Sequence, residues 1–240
     1  MNNRICGYIL GSVHEKDRTK NISFLKTQIQ SLEYEEAIYP KFNKIPFIKQ
    51  IKERSYARTG STLKDGEIGC LLSHRRIWKK IASSSADSTS MFLVLESDSC
   101  IQDLQVVGQH FEHISQRFDL FFWGAWEGHM KLCQSTKKSL SGKWVIGEPF
   151  IKTIYCTYGY SLNKQAASYL LQQTRKVGYP VDLFKKFVCK DDSRIGGVVP
   201  ELISTVGRGK SYIRENRNRI REFLYWMLLD CKNTLICLFK

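Results

Sequence analysis

The chain has 240 residues, of which 42% are hydrophobic and 25% are charged, so its composition is that of a globular protein with a sizeable core and excludes a disordered one. Lysine and arginine total 37 against 23 aspartate and glutamate. The resulting formal charge of +14 predicts an anionic partner such as a nucleotide, a phosphorylated glycolipid, an acidic membrane or a nucleic acid. No apolar run approaches the roughly 18 residues that a membrane span needs, and residues 1–10 lack the pattern of a signal peptide.

The eight cysteines are dispersed along the chain, and no two have the C-x-x-C spacing that is typical of a zinc ribbon. Without a signal peptide, the protein is expected in a reducing cytosol, where thiols stay free. We therefore predict that all eight cysteines are reduced and that most of them lie in the core.

The first third of the chain alternates strand-like and helix-like patterns. Residues 4–10 form a short apolar run that predicts a buried strand, and apolar residues recur at helical spacing over 18–32. No glycine fingerprint follows this strand, so the sequence predicts neither a dinucleotide site nor a P-loop. Two prolines interrupt residues 36–65, which we interpret as a short strand, loops and a turn of helix. An apolar stripe predicts a helix over 66–82.

The later segments continue this alternation, which is typical of an α/β protein with a mostly parallel sheet flanked by helices. They are a polar loop at 83–90, buried strands at 91–95 and 118–123, a hairpin within 131–150, a strand at 154–161, and a helix at 162–174 with Ser161 as its N-cap. We expect one main domain over residues 1–213 and a C-terminal extension over 214–240.

Two carboxylates, Glu96 and Asp98, directly follow the predicted strand at 91–95. Open α/β sheets bind ligands at the carboxyl ends of their strands, and two carboxylates placed there can hold a hard divalent cation. Such an ion can bridge the phosphates of a nucleotide diphosphate and neutralise charge as that group leaves. The alternative is a solvated turn at the strand end, which is the more frequent meaning of such a short pattern by itself.

A second group of polar residues lies in the predicted helix at 66–82. Glu67, Cys70 and His74 are spaced i, i+3 and i+7, so they share one face, and Ser73 adjoins them. Pointing toward the sheet edge, this face could contact a ligand. The alternative is a capping glutamate and a histidine whose hydrogen bonds are satisfied in the core.

Two further patterns are candidates for binding or catalysis. Tyr155, Tyr158 and Tyr160 lie near a predicted strand end, where aromatic rings can stack on a base or a sugar, although core packing explains them equally well. Asp182 follows a turn stiffened by Pro180, and it could serve as a general base or as a helix cap.

These segments occur in an order and at a spacing that resemble glycosyltransferase family 25, the lipooligosaccharide galactosyltransferase-like proteins. The resemblance extends over about residues 4–213, and its most specific part is G-E-I-G-C-x-x-S-H followed by the acidic strand end. The segments that carry it are LKDGEIGCLLSHRRIWKKIA (63–82), FLVLESD (92–98), TYGYSLNKQAASYLL (157–171), PVD (180–182) and GKSYI (209–213).

The resemblance implies a GT-A-like fold and metal-dependent, inverting transfer of a hexose to a lipooligosaccharide or lipopolysaccharide acceptor. The expected donor is UDP-galactose, with UDP-glucose and UDP-N-acetylglucosamine as alternatives. Asp98 and Glu96 would hold Mn²⁺ or Mg²⁺, and Asp182 would be the catalytic base, with Glu127, Asp191 and Asp192 in reserve. The predicted donor-binding residues are Gly66, Glu67, Ser73, His74, Glu96, Ser97, Tyr158 and Tyr160.

One position departs from the family pattern. The family usually has Glu-Asp-Asp at the strand end, whereas here the middle residue is Ser97. The middle position often contacts the ribose of the nucleotide, and a serine can hydrogen-bond there without a charge. This substitution puts donor choice, metal affinity and activity itself in question.

The C-terminal extension combines charge with apolar residues. Residues 208–221 are rich in arginine and lysine, and Phe223 to Leu229 are apolar. This combination is typical of an interfacial membrane anchor, so we predict a cytoplasmic protein lying on the inner face of the bacterial inner membrane. A helix packed on the core or at a dimer interface is the alternative.

Other functions are compatible with the sequence. A nucleic-acid-binding protein fits the charge but lacks a recognisable motif, so no nucleic-acid partner is expected. A hydrolase of nucleotide sugars would release sugar without an acceptor, and a catalytically inactive relative would only bind glycan.

Overall fold

The computed structural model describes residues 5–125, 128–189, 192–206 and 219–240, and the side chains of all of these except 219–226. Its strands are β1 (Cys6–Gly11), β2 (Leu32–Glu36), β3 (Phe92–Glu96), β4 (Ser99–Ile101), β5 (Leu120–Phe122), β6 (Lys138–Ser141), β7 (Trp144–Gly147), β8 (Gly159–Leu162), β9 (Ile195–Val199) and β10 (Ile203–Thr205). Its α-helices are α1 (Thr19–Gln28), α2 (Ile48–Thr59), α3 (Asp65–Ala82), α4 (Leu104–Arg117), α5 (Lys164–Gln173) and α6 (Arg219–Leu238).

Eight strands form a mixed central sheet in the order β2-β1-β3-β8-β5-β9-β7-β6, and β4 pairs with β10 in a small second sheet. β1 is parallel to β2 and β3, and β5 is parallel to β9, whereas β8 runs antiparallel between β3 and β5. The predicted α/β class, with a mostly parallel sheet, flanking helices and a C-terminal helix, is confirmed.

The core lies on both faces of this sheet, as its uninterrupted apolar strands predict. In β5 the side chains alternate, so Phe122 packs with Trp78 and Tyr160 on one face while Phe121 packs with Trp123 on the other. All five of these side chains are fully buried. Burying an aromatic side chain of this size contributes roughly 2–3 kcal/mol, so these layers fix the strands whose ends form the site.

Several element boundaries differ from the predictions. The helix predicted over 18–32 ends at Gln28, and Leu32 begins β2 instead, where it is buried. The turn of helix predicted within 36–65 is α2, a helix of 12 residues with only Ile51 and Ser55 buried. So few buried residues leave only a faint apolar stripe in the sequence.

The N-cap of α5 was also predicted at the wrong residue. Asn163 caps the helix by accepting a hydrogen bond from the Ala166 backbone N–H at 2.9 Å. Ser161 lies within β8, where its hydroxyl oxygen accepts a hydrogen bond from Trp123 Nε1 at 2.6 Å. Both residue types are good N-caps, but the Ser161 side chain is engaged with the buried Trp123 and so is not available to cap the helix.

The cysteines are all free, but the prediction that most are buried is wrong. Only Cys133 and Cys237 are buried, whereas Cys6, Cys189 and Cys231 are exposed and the other three are half-buried.

The C-terminal helix α6 packs one side on the domain. Asp230 accepts hydrogen bonds from Lys131 Nζ at 3.0 Å and from His129 Nδ1 at 3.2 Å, and Asn233 and Cys237 are buried. Apolar side chains on the rest of this segment are exposed, namely Met227, Leu228, Leu235, Leu238 and Phe239. Within the described segments, no helix is both long and apolar enough to cross a bilayer.

Asp119 ties the start of β5 to two neighbouring elements. Its carboxylate accepts hydrogen bonds from Arg194 Nη2 and from Asn163 Nδ2, each at 2.8 Å. Burial acts to raise the pKa of Asp119, but the hydrogen bonds and charge of these donors hold it below its ordinary value.

Replacing Asp119 with asparagine should lower the free energy of unfolding by about 2 kcal/mol at neutral pH. Breaking a fully buried pair costs about 3–5 kcal/mol, and the smaller value applies because the Arg194 side chain is 55% exposed. Since the folded-state pKa is depressed, the stabilisation is present above the unfolded-state pKa of about 3.9 and is lost as the pH falls through the folded-state value. Urea unfolding of both proteins between about pH 7 and pH 2 measures the difference, and a difference independent of pH would contradict this account.

Candidate active site

The candidate site lies where β1 and β3 end. Glu96 is the last residue of β3, and Ser97 and Asp98 form the turn into β4. Because β8 is antiparallel to β3, the start of β8 lies at the same edge, with Gly159 opposite Leu95. This edge is where open α/β sheets bind ligands.

The two carboxylate oxygens of Asp98 differ in their surroundings. Its Oδ2 accepts a hydrogen bond from Arg18 Nη2 at 2.9 Å, whereas its buried Oδ1 has no hydrogen-bond partner among the described residues. Burial and the neighbouring charge of Glu96 raise the pKa of Asp98 to about 6, against the opposing effect of Arg18. A buried acceptor left unpaired is costly, so this oxygen fits a ligand that supplies positive charge, as a divalent cation does.

The Glu96 carboxylate is hydrogen-bonded to neighbouring protein side chains. Its Oε1 lies 3.2 Å from His74 Nε2 and accepts a hydrogen bond from the Thr157 hydroxyl. Burial acts to raise the pKa of Glu96, but its bonds to His74 and Thr157 and its attraction to Arg18 hold the pKa below its ordinary value. Glu96 is therefore a fixed, ionised carboxylate next to Asp98.

His74 and Tyr160 support Glu96 from beneath. His74 Nδ1 lies 2.8 Å from the Tyr160 hydroxyl, which accepts a hydrogen bond from Trp78 Nε1 at 2.8 Å. His74 and Tyr160 are both fully buried. In this arrangement Tyr160 orients His74. The Tyr160 ring faces core residues and not the open edge of the sheet, where a base or a sugar would stack.

Glu15 and Arg18, which the sequence interpretation missed, complete the site. Ser97 is buried and donates a hydrogen bond to Glu15 Oε2 at 2.6 Å, and Arg18 Nη1 donates to the Ser97 hydroxyl at 3.1 Å. Glu15 is also buried and accepts a hydrogen bond from the Tyr39 hydroxyl. The polar turn after the first predicted strand was the available indication, because that strand ends at the same sheet edge.

Replacing Ser97 with aspartate, which restores the usual family pattern, should lower the free energy of unfolding by about 1–3 kcal/mol, because two carboxylates would then face each other in a buried position. Replacing Ser97 with alanine removes only hydrogen bonds and should cost about 1 kcal/mol. Urea unfolding of the two variants compares them directly. The prediction assumes that the Glu15 carboxylate lies where the side chain of an aspartate at position 97 would lie. A Ser97→Asp protein as stable as the wild type would contradict this assumption.

Asp182 belongs to the same electrostatic neighbourhood. Burial raises the pKa of the Cys70 thiol well above its ordinary value, and the charges of Glu96, Asp182, Asp98 and Glu15 add to this effect. Four carboxylates therefore act on one position, within a protein whose formal charge is +14. Such a concentration of negative charge favours a cation.

The other predicted donor-binding residues on α3 have structural partners. Glu67 Oε2 accepts a hydrogen bond from the Lys64 backbone N–H at 2.8 Å and so caps the helix beside Gly66. Ser73 is buried, and its hydroxyl accepts from the Ile38 N–H at 2.8 Å and donates to the Gly69 carbonyl at 2.7 Å. The first and last of these contacts are internal to α3 and its N-cap, and the bond between Ile38 and Ser73 joins the helix to another segment.

Four predicted residues remain, of which Tyr158 adjoins this group through its backbone: its carbonyl accepts a hydrogen bond from the Glu96 N–H at 3.4 Å. Tyr158 is buried and its hydroxyl donates to Glu201. Asp192 is exposed and accepts a hydrogen bond from the Tyr169 hydroxyl at 3.1 Å. Glu127, Asp191 and the GKSYI segment at 209–213 lie outside the described residues.

The chain matches one known protein family over most of its length. The model of glycosyltransferase family 25, described as an LPS biosynthesis protein, matches residues 8–185, which include the last four residues of β1, α3, the Glu96–Asp98 turn, β8 and Asp182. A search of curated proteins finds no match. The match extends over well over half of the chain, so the protein belongs to glycosyltransferase family 25 and is a glycosyltransferase of lipopolysaccharide biosynthesis, a class that uses a nucleotide-sugar donor and a glycan acceptor.

Proposed function

We propose that the protein transfers a hexose, namely galactose from UDP-galactose, with inversion onto a lipooligosaccharide or lipopolysaccharide acceptor. The observation that carries the proposal is the buried Oδ1 of Asp98, which has no hydrogen-bond partner in the described part of the chain and lies beside the fixed carboxylate of Glu96 at the end of β3. A GT-A-like arrangement is supported by the β1–α1–β2 unit at one side of the sheet and by the small β4–β10 sheet that begins directly after the acidic turn.

Asp98 and Glu96 are the residues that would hold Mn²⁺ or Mg²⁺, which would neutralise charge on the leaving diphosphate. Arg18 supports this assignment, since its guanidinium already lies 2.9 Å from Asp98 at the same edge. Arginine binds phosphate oxygens in a fork geometry. We expect Arg18 to turn from Asp98 to the diphosphate when the donor binds.

Asp182 is the proposed general base. An inverting transfer needs a carboxylate that removes the proton of the attacking acceptor hydroxyl. Asp182 is half-buried and close enough to the acidic cluster for its charge to act on Cys70, whereas the exposed Asp192 is bonded to Tyr169. These placements favour Asp182 over Asp192.

The proposed location of the protein is the cytoplasmic face of the inner membrane. It is supported by α6 and by the basic residues that precede α6 in the sequence. Exposed apolar side chains next to positive charge suit an anionic lipid surface, and a glycolipid acceptor lies in such a surface. The buried side of α6 shows that the helix also packs on the domain. We therefore propose that α6 stays packed on the domain while its exposed side contacts the membrane.

Replacing Leu228, Leu235 and Leu238 with serine should reduce sedimentation with anionic phospholipid vesicles by at least about tenfold. Each exposed leucine that enters the lipid interface contributes roughly 1 kcal/mol or more. The matched control replaces Phe42 and Phe47, which are exposed on another part of the protein. Equal sedimentation of the wild type and the leucine variant would contradict membrane binding through α6.

Transfer itself is tested with labelled UDP-hexoses and a truncated lipooligosaccharide acceptor. The proposal predicts label in the glycolipid, with UDP-galactose as the best donor and a β-linkage formed from the α-linked donor. An α-linked product would contradict inversion. Release of free sugar without an acceptor product would favour hydrolysis, and binding of glycan without turnover of any donor would favour an inactive relative.

A further inference from the structure

Three side chains with different metal-binding atoms converge beneath the acidic turn. Cys70 and His74 are one helical turn apart on α3 and face Glu96 at the end of β3. The thiol sulfur, a ring nitrogen and a carboxylate oxygen all lie within 4.8 Å of one another, and His74 Nε2 is 3.2 Å from Glu96 Oε1. In a tetrahedral zinc site, ligand bonds of about 2.0–2.3 Å put neighbouring ligand atoms about 3.3–3.8 Å apart. Small side-chain rotations therefore suffice to form such a site.

The chemistry of these atoms differs from that of the Asp98 site. Thiolate sulfur and imidazole nitrogen favour Zn²⁺ and similar transition metals, whereas oxygen atoms alone favour Mg²⁺ and Mn²⁺. Glu96 is the residue that both sites would use. The two classes of ion would therefore compete for one carboxylate.

We propose that Cys70, His74 and Glu96 form a binding site for a zinc-class ion, separate from the Mn²⁺ or Mg²⁺ position at Asp98. Binding at this site does not depend on the proposed function. Its consequence does: an ion held here withdraws Glu96 from the donor site, so zinc inhibits sugar transfer.

The surroundings of His74 suit a metal ligand. Metal-binding histidines usually donate their second ring N–H to a fixed acceptor, and the Tyr160 oxygen lies 2.8 Å from Nδ1. Trp78 Nε1 donates to the same oxygen and holds it in place. When Nε2 binds the ion, the ring proton moves to Nδ1 and stays hydrogen-bonded to Tyr160, while the Cys70 thiol releases its proton to solvent.

The charge balance also favours an ion. A divalent cation bound by one thiolate and one carboxylate forms a neutral unit, and the nearby charges of Asp98, Asp182 and Glu15 attract it further. Access is available from the Glu96 side, because that side chain is 24% exposed.

The experiment uses the full-length, metal-free protein with Co²⁺ as the probe. A thiolate bound to cobalt gives a charge-transfer absorption that oxygen and nitrogen ligands do not give. We expect this absorption to saturate at one Co²⁺ per chain and to be abolished by Zn²⁺. It should disappear in Cys70→Ser, and His74→Gln should weaken binding by at least about tenfold. The matched control, Cys6→Ser with Cys189→Ser and Cys231→Ser, removes the three exposed thiols and should keep the absorption.

Two results would overturn the proposal: no thiolate absorption in the wild type, or an absorption that survives Cys70→Ser and disappears in the control. If Cys70→Ser does not fold, X-ray absorption at the zinc edge of the control protein decides the question. One sulfur with nitrogen and oxygen ligands supports the site, and a shell without sulfur or with several sulfurs overturns it. A cobalt signal in a protein that transfers no sugar would refute the proposed function alone, whereas transfer without the signal would refute this site alone.

Discussion

Replacing Asp98 with asparagine should reduce metal-dependent UDP release by roughly a thousandfold or more, because the proposed ligand of an ion that would neutralise the leaving diphosphate is lost. The fold should survive this change. Asp98 Oδ1 has no hydrogen-bond partner among the described residues, and burial already raises the pKa of this carboxyl. The substitution also weakens the ion pair with Arg18, but Arg18 keeps Glu15 and Ser97 as partners. The free energy of unfolding should therefore fall by no more than about 2 kcal/mol, less than the loss of a fully buried pair.

The matched control for this prediction is Asp87→Asn, which removes a carboxylate from an exposed loop. Steady-state release of UDP and urea unfolding of both variants separate catalysis from stability. A stably folded Asp98→Asn protein that retains near-normal, metal-dependent UDP release would remove Asp98 from the site.

Replacing Asp182 with asparagine should lower kcat by about 10²–10⁴-fold, the usual contribution of a general base. The Kd for UDP-galactose should change little, because the base acts on the acceptor and not on the donor. Initial rates with saturating acceptor and calorimetric titration with donor measure the two quantities separately.

Asp192→Asn is the control, since Asp192 is exposed and its carboxylate is bonded to Tyr169. If Asp182→Asn turns over normally while Asp192→Asn does not, the base assignment moves to Asp192. If neither variant lowers kcat, neither residue acts as the base.

Strands buried on both faces were the most predictable part of the fold. The runs at 91–95 and 118–123 consist almost wholly of apolar residues, and both became central strands because both faces of the sheet are covered. α4 was not predicted, although Asp103 caps it by accepting from the Val106 N–H at 3.0 Å and its buried residues recur at helical spacing. That helix was within reach of the sequence pattern.

The order of the strands was beyond such reasoning. β8 follows β7 in the chain, yet it inserts antiparallel between β3 and β5. This pairing depends on contacts such as that between Trp123 Nε1 and the Ser161 hydroxyl, which join positions 38 residues apart. Local periodicity contains no information about which distant strand is the neighbour.

The same distinction holds for the site. Glu96 and Asp98 could be found because they are two residues apart in the sequence and stand at the end of an apolar strand. The carboxylate of Glu15 meets Ser97 across 82 residues, and Arg18 meets Asp98 across a similar separation. The polar residues after β1 can be recognised as part of the site only when it is known that β1 pairs in parallel with β3, because this pairing brings the ends of the two strands together.

The positive net charge of the protein contrasts with the negative charge of its candidate site. A formal charge of +14 attracts anions to the surface, whereas the candidate site concentrates the carboxylates of Glu15, Glu96, Asp98 and Asp182 around Cys70. A nucleotide-sugar diphosphate satisfies both features, because a basic protein attracts it and a cation can join it to the acidic site.

The most direct test of the central claim measures UDP release from UDP-galactose, UDP-glucose and UDP-N-acetylglucosamine with and without Mn²⁺ or Mg²⁺. The account predicts release that requires the metal and is fastest with UDP-galactose. Neither binding nor release with any of these donors, in the presence of either metal, would contradict a metal-dependent hexose transferase.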